Sequence, residues 1–396
     1  MVITTSDQTL SAFFGQQLRF FASQDFRVLA VCSPGPWIEK VRGIDGVAVH
    51  GLPMERKPHP AHDLASLFAL RKLVSKFRPH ILHAHTPKAG LLGMLAATIA
   101  RVPVRLYTIH GLPLLTRSGW RRHMLKATER VSCALSTRTY CISPSLESLV
   151  RQMKLCADPK LATLGDGSCS GVDLEKFNPQ LFGSDSRDSV RRTYGIPMGA
   201  TLLCYAGRVA RDKGIEVLAA AWEELSAKFS GLYLLLCGAC DSTDPVPDWV
   251  LDGLRNDPRV RLAENWVEDM PAVYAASDIC VLPTFREGLS QVALESAAMQ
   301  VPLVGTRIPG LVNAVEDGVT GLLVPAGDAP ALAEGIASLL QDESLRSRLG
   351  MAGRRFVEDR FSEKRVNRLY LNEYRSLIGP FFGAALLNED ERRSFP

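Results

Sequence analysis

Two carboxylates stand eight residues apart in the stretch Pro283-Thr-Phe-Arg-Glu287-Gly-Leu-Ser-Gln-Val-Ala-Leu-Glu295, which follows an apolar run at Ile279–Leu282. If this stretch opens a helix, Glu287 and Glu295 lie ~12 Å apart along its axis and about 80° apart around it. They then address opposite ends of one elongated ligand. Between them the backbone N–H groups of Gly288, Leu289 and Ser290 fall at the helix start, where the dipole favours phosphate. A sugar at one end, a ribose at the other and phosphate between them describe a nucleotide-sugar. A single Glu near a helix start is commonly a solvated charge, but Leu282-Pro283 and Ala293-Leu294 set this segment against a core.

A second group of residues follows the apolar run Leu202–Ala206: Gly207-Arg208-Val-Ala-Arg211-Asp-Lys213-Gly214. Gly207 lets the chain leave a strand sharply. Arg208 offers a planar fork and Lys213 a point charge, and both suit a diphosphate. Alone, this is an exposed basic turn. With the carboxylate pair, it makes two loops that aim phosphate ligands at one crevice.

The elements that must hold these loops are short apolar runs alternating with longer stretches of helical period, a parallel α/β pattern. In the first half the strands are expected at 28–32, 47–50, 81–84, 104–108 and 139–142. The helices between them are expected at 11–24, 64–77, 89–100 and 118–135. The second half repeats the rhythm, with strands at 202–206, 232–236, 260–262, 279–282, 303–305 and 322–324. Its helices are expected at 215–229, 270–276, 290–299 and 329–341, with one long helix from 343 to about 378. Between the halves lies Gly165-Asp-Gly-Ser-Cys-Ser-Gly171, a glycine-rich hinge composition. It misses the dinucleotide fingerprint by one residue and no clear helix follows it, which argues against a nicotinamide dehydrogenase. The expected domains are 1–168, 169–362 and a C-terminal helix and tail at 363–396.

The net charge of +4 conceals a split. Residues 1–170 hold 22 of the 46 basic and 10 of the 42 acidic side chains, leaving 24 and 32 for the remainder. The basic half points to an anionic partner. Arg117, Arg121, Arg122, Lys126 and Arg130 share a helical stretch with Trp120, Leu125, Val131 and Leu135, a pattern that suits a membrane surface as well as a solvated helix. Nothing at the N-terminus resembles a signal peptide, and the longest uncharged apolar run, 89–100, is too short to span a bilayer. The nine cysteines are irregularly spaced, and Cys237-Gly-Ala-Cys240 has no second ligand pair for zinc. Reduced thiols and a cytoplasmic location, peripheral at the inner face of the membrane, are the expectation. No nucleic-acid partner is expected.

The two loops, in this order, resemble the retaining glycosyltransferases of family 4, which have the GT-B fold. The likeness extends to Gly171-Val-Asp173, to Phe177-Asn-Pro179 and to Gly321-Leu-Leu-Val-Pro325. In the first half, His83-Ala-His85-Thr-Pro-Lys88-Ala-Gly90 and Thr108-Ile-His110-Gly111 are similar to a bacterial subgroup that builds lipid-linked surface polysaccharides. The resemblance implies two Rossmann-like domains facing across a cleft, with a C-terminal helix returning toward the N-terminal, acceptor-binding domain. It implies that Arg208 and Lys213 bind the donor diphosphate below Gly207, that Glu287 faces the transferred sugar and that Glu295 holds the ribose. Gly288, Leu289 and Ser290 would donate backbone hydrogen bonds. His110 would sit beside the donor sugar, Gly15 on a phosphate-proximal loop, and His85 and Lys88 on the acceptor side. His83 reads as core.

The implied reaction moves a hexose or N-acetylhexosamine, from UDP by preference with GDP open, to a polyprenyl-diphosphate-linked saccharide, as in exopolysaccharide, capsule or O-antigen synthesis. No Asp-x-Asp metal-chelating pair occurs in the chain. The expectation is therefore no metal and no cofactor, with retention of anomeric configuration. The alternatives are another GT-B enzyme, such as a nucleotide-sugar epimerase, or a non-catalytic nucleotide-sugar-binding protein. Ser170 stands where the subgroup often has Asn, and the Cys237–Cys240 turn replaces a more usual glycine-rich one near the expected base pocket.

Overall fold

Runs such as Val28–Cys32, Ile81–His85 and Thr201–Ala206 are buried on both faces, the placement of parallel strands covered by helices on each side. The computed structural model describes residues 1–55 and 59–382 and divides the chain into two units. One comprises Met1–Gly171 together with the chain from Glu363; the other is Val172–Ser362.

The first unit is built on a seven-stranded sheet, all of whose pairings are parallel. In spatial order its strands are Val47–Gly51, Val28–Cys32, Val2–Ile3, Ile81–His85, Val104–Ile109, Arg138–Cys141 and Leu161–Ala162. The second unit has six parallel strands in the order Val260–Ala263, Leu232–Cys237, Thr201–Ala206, Ile279–Leu282, Leu303–Thr306 and Gly321–Val324. In both, the order reverses between the first strand and the fourth, and crevices for ligands open at such switch points, beyond the carboxyl ends of the strands. The Gly207 loop and the Glu287 loop leave the two strands that flank the switch point of the second unit.

The structure corrects four features of the sequence reading. Val2–Ile3, absent from the expected strands, is a strand inside the first sheet, with Val2 in register with Ala30 on one side and His83 on the other. Gly15 is not on a loop. It lies inside a helical run from Asp7 to Ser23, just after a π-helical turn at Leu10–Phe14, in ordinary right-handed conformation (φ −53°). Glu287 is not on a helix; that helix begins at Gln291, where the Ser290 side chain accepts a hydrogen bond from the Ala293 N–H (3.2 Å).

The long C-terminal helix is two helices, Glu343–Arg360 and Glu363–Phe382. The break is at Phe361, which is buried and whose carbonyl accepts the Val172 N–H (2.8 Å). The second of these helices returns to the first unit. There the Tyr374 ring stacks on Phe21 (4.9 Å), Asn367 accepts a hydrogen bond from Gln17 (3.2 Å), and Glu373 accepts one from the Tyr140 hydroxyl (2.5 Å). The tail after Phe382 lies outside the described residues.

Candidate active site

In the second unit the loop after Thr201–Ala206 and the loop after Ile279–Leu282 are sewn together by backbone. The Asp212 carbonyl accepts hydrogen bonds from the Phe285 N–H (2.9 Å) and the Thr284 hydroxyl (3.2 Å), and the Thr306 hydroxyl holds the Thr284 carbonyl. Gly214 adopts a left-handed conformation (φ +74°), and a Cβ there would lie 1.9 Å from the Pro283 carbonyl oxygen. No other residue allows the loops to close to this distance. Gly310 plays the same part on the far side, where a Cβ would meet the carbonyls of Glu287 and Gly288 at 2.8 and 2.7 Å.

This closure brings Lys213 to Glu287. The ammonium donates to Glu287 Oε1 at 2.5 Å, and both side chains are largely buried. Arg208 is bound by Asp241 and, at 3.5 Å, by Asp212, which in turn pairs with Arg286 at 2.5 Å. The Tyr205 hydroxyl donates to the Arg208 carbonyl (2.6 Å), fixing the turn that Gly207 begins. A carboxylate and a cation in direct contact beside a second, half-exposed guanidinium can hold a sugar hydroxyl and a phosphate side by side. Asp212, Asp241 and Arg286 were not legible as site residues. Asp212, adjacent to Lys213, and Arg286, adjacent to Glu287, offered a signal, and Asp241 offered none.

Glu295 lies in the second turn of the helix Gln291–Ala298 and belongs to a separate neighbourhood. Burial pushes its carboxyl up to about 7, against the hydrogen bond from Gln291 and the charge of Lys176. The buried Tyr274 hydroxyl nearby also opposes that rise. Gly288, Leu289 and Ser290 are buried beneath the site loop, ahead of the helix rather than in its first turn.

The first unit gathers its histidines. His85 Nδ1 and His110 Nε2 are 3.0 Å apart, so one ring nitrogen donates and the other accepts, and the two tautomers are linked. Phe14, at the end of the π-turn, packs on His85 at 4.3 Å and on His110 at 6.0 Å. His83 is core, bonded to the Tyr374 hydroxyl (2.5 Å) and the Thr108 hydroxyl (2.7 Å). His85 is 1% exposed, whereas His110 is partly open. Lys88 pairs with Asp63 (2.6 Å).

Burial pushes His110 down to about 4 and holds His83 and His85 well below the ordinary imidazole range. All three are neutral at pH 7. An unfolded histidine takes up its proton near 6.5. Between about 6.5 and 4 the unfolded chain therefore binds a proton that folded His110 does not, and stability rises with pH across that window. Thermal midpoints should fall as pH drops from about 6.5 toward 4, and His110→Asn should make that fall shallower. Identical slopes for the two proteins would contradict the burial of a neutral His110.

Two parallel-sheet units with this strand order, one of them completed by a C-terminal helix, have the architecture of the GT-B fold. Residues 10–167 match the model for a glycosyl transferase 4-like domain, and residues 200–342 match that for glycosyl transferases group 1. The capsular polysaccharide biosynthesis glycosyltransferase CapM of Staphylococcus aureus is 33% identical over 348 residues, covering 88% of this chain and 89% of that protein. The D-inositol 3-phosphate glycosyltransferase of Saccharomonospora viridis is 29% identical over 323 residues, with 77% and 72% covered. The chain belongs to the group 1, family 4 glycosyltransferases. Among solved structures, Anabaena Alr3699/HepE in complex with UDP-glucose superposes with a TM-score of 0.79 at 18% identity, covering 95% of this chain and 98% of that one. Sucrose-phosphate synthase of Thermosynechococcus elongatus gives 0.78 at 21% identity, with 96% and 98% covered. At such identities these two likenesses show the fold.

Proposed function

We propose that the chain transfers a hexose or N-acetylhexosamine from a UDP-sugar to a hydroxyl of a polyprenyl-diphosphate-linked saccharide during synthesis of a surface polysaccharide. The observation that carries this reading is the Lys213–Glu287 pair at the switch point of the second unit, a cation for the leaving diphosphate against a carboxylate for the sugar. The name of the S. aureus relative, capsular polysaccharide biosynthesis, supports the product class, and the UDP-glucose bound by HepE supports the donor class.

In this reading Arg208 and Lys213 neutralise the charge that develops on the departing diphosphate, and Glu287 orients sugar hydroxyls. Gly288, Leu289 and Ser290 supply backbone donors, and Glu295 holds the ribose, whose hydroxyls favour its charged form. His110, steadied by His85, is the first unit's contribution, with Gly15 and Lys88. The bond from the anomeric carbon to the phosphate oxygen breaks as the bond to the acceptor oxygen forms on the same face. The acceptor proton passes to the departing phosphate oxygen, and configuration is retained without a glycosyl-enzyme, unlike the paired carboxylates of retaining glycosidases. The charge compensation comes from side chains, so the reading assigns no metal and no cofactor. In a thermal-shift panel of UDP-, GDP- and dTDP-sugars, UDP-linked N-acetylhexosamines should raise the midpoint most. Stabilisation by GDP-sugars alone would overturn the choice of base, and none at all would overturn the donor class.

The acceptor half of the reading places the first unit on an anionic membrane. No helix among the described residues is long and apolar enough to cross a bilayer. In the helix Gly119–Leu135 the inward face is Glu129, Ser132 and Cys133, while Trp120 is 69% exposed beside the exposed Arg121 and Arg122. An outward Trp among cations is suited to headgroups. Each cation near an anionic surface contributes about 1 kcal/mol, so Arg121→Gln with Arg122→Gln should weaken vesicle binding by about tenfold or more. Flotation with phosphatidylglycerol vesicles at low salt checks this, and no binding of the unaltered protein would count against the membrane contact.

A further inference from the structure

Each of the four cations on the donor loops is held by a carboxylate: Lys213 by Glu287, Arg211 by Glu216, Arg286 by Asp212, and Arg208 by Asp212 and Asp241. A diphosphate entering this network competes with these anions for Arg208. The two carboxylates are anchored differently. Asp212 is the fixed one. It pairs with Arg286, its N–H donates to Asp244 (2.9 Å), and its carbonyl stitches the two site loops together.

Asp241 sits on a different loop, after the strand Leu232–Cys237, and its carboxylate is divided between two tasks. Oδ1 accepts hydrogen bonds from the Thr243 N–H (2.8 Å) and the Thr243 hydroxyl (2.6 Å). Oδ2 faces Arg208. If Arg208 turns away, Thr243 still satisfies Oδ1 while Oδ2 loses its partner. Arg208 is 37% exposed and so has room to turn. Although burial opposes it, Thr243 and Arg208 hold the Asp241 carboxyl below the usual carboxylate range, so it is an anion at neutral pH.

We propose that Asp241 is a positioning residue that competes with the donor diphosphate for Arg208, releasing the guanidinium as the nucleotide binds and recapturing it as the diphosphate leaves. Its charge then loosens the hold on nucleoside diphosphate and speeds product release. This rests on the donor-site reading given above. Asparagine at 241 keeps the oxygen that Thr243 needs and removes the competing charge, while Asp212 still orients Arg208.

UDP and GDP titrated separately by calorimetry into the full chain test the idea, using whichever binds the unaltered protein. Asp241→Asn should bind that diphosphate about 3–10-fold more tightly, the scale of one partly exposed ion pair. The dissociation rate and the KM for the sugar donor should fall in step. Asp241→Glu, which restores the charge, should return affinity toward that of the unaltered protein. If Asp241→Asn does not fold, Asp241→Ser removes the same charge and is read in the same way. Equal or weaker binding by the uncharged variants overturns the proposal. Arg208→Ala separates the two levels: if it binds diphosphate as well as the unaltered chain, or if neither nucleotide binds, the donor-site reading itself fails. If Arg208→Ala loses binding while Asp241→Asn gains none, only the competition fails.

Discussion

Glu287→Ala is expected to lower turnover by about two to three orders of magnitude, the usual loss when a preorganised polar group is removed from a transition state. Its binding of free UDP should stay the same or tighten. The two effects have one origin. Glu287 is the only carboxylate in contact with Lys213 among the described residues, and their 2.5 Å pair is largely shielded from water. Without it, the ammonium is free for phosphate, while the sugar loses the group that orients it. Removing one partner of a shielded pair also costs stability, on the order of 3 kcal/mol. Glu287→Gln, which can still accept a hydrogen bond, therefore accompanies the alanine variant, with melting curves beside the kinetics. Full activity in either variant would remove Glu287 from the reaction.

Arg208→Ala is the second large effect. The guanidinium follows Gly207 at the end of a central strand and is held by two carboxylates. Its loss should weaken nucleoside diphosphate binding by about 10–100-fold, the scale of one or two charge-assisted hydrogen bonds. Turnover should fall further than affinity, because charge on the leaving diphosphate is greatest as the bond breaks. Arg208→Lys should rescue little, since a point charge cannot reproduce the planar fork. Affinity unchanged in both variants would move the diphosphate site elsewhere.

These residues were legible because their strands were. Thr201–Ala206 and Ile279–Leu282 are unbroken apolar runs, each ended by a turn residue, Gly207 and Pro283, so the loops that follow stand out. Val2–Ile3 carried no such signal. A two-residue strand has no period, and only its neighbours in the sheet define it. The helix expected from residue 290 does begin at Gln291, but Glu287 was wrongly counted with it although the cap was in view: Ser290 is a good N-cap, and Gly288 is poorly suited to a helix interior. The same holds at Ser6, whose side chain accepts from the Thr9 N–H and so starts the run that contains Gly15. Of the two carboxylates that neutralise Arg208, Asp241 was out of reach for a different reason. Asp241 lies 33 residues away, and only the pairing of neighbouring strands brings its loop alongside. Trp120 is outward, on the side of its helix away from Glu129, Ser132 and Cys133, which occupy the inward face.

The central claim is that this chain moves a sugar from a nucleotide to a lipid-linked acceptor using the paired loops of its second unit. The direct measurement is release of nucleoside diphosphate from a panel of sugar nucleotides, with and without a polyprenyl-diphosphate-linked saccharide, in the unaltered protein and in Glu287→Ala. Acceptor-dependent release of UDP with a matching gain of one sugar on the lipid, lost in Glu287→Ala, is the predicted result. Release or epimerisation of the donor that ignores the acceptor, or transfer that survives the loss of Glu287, would contradict it.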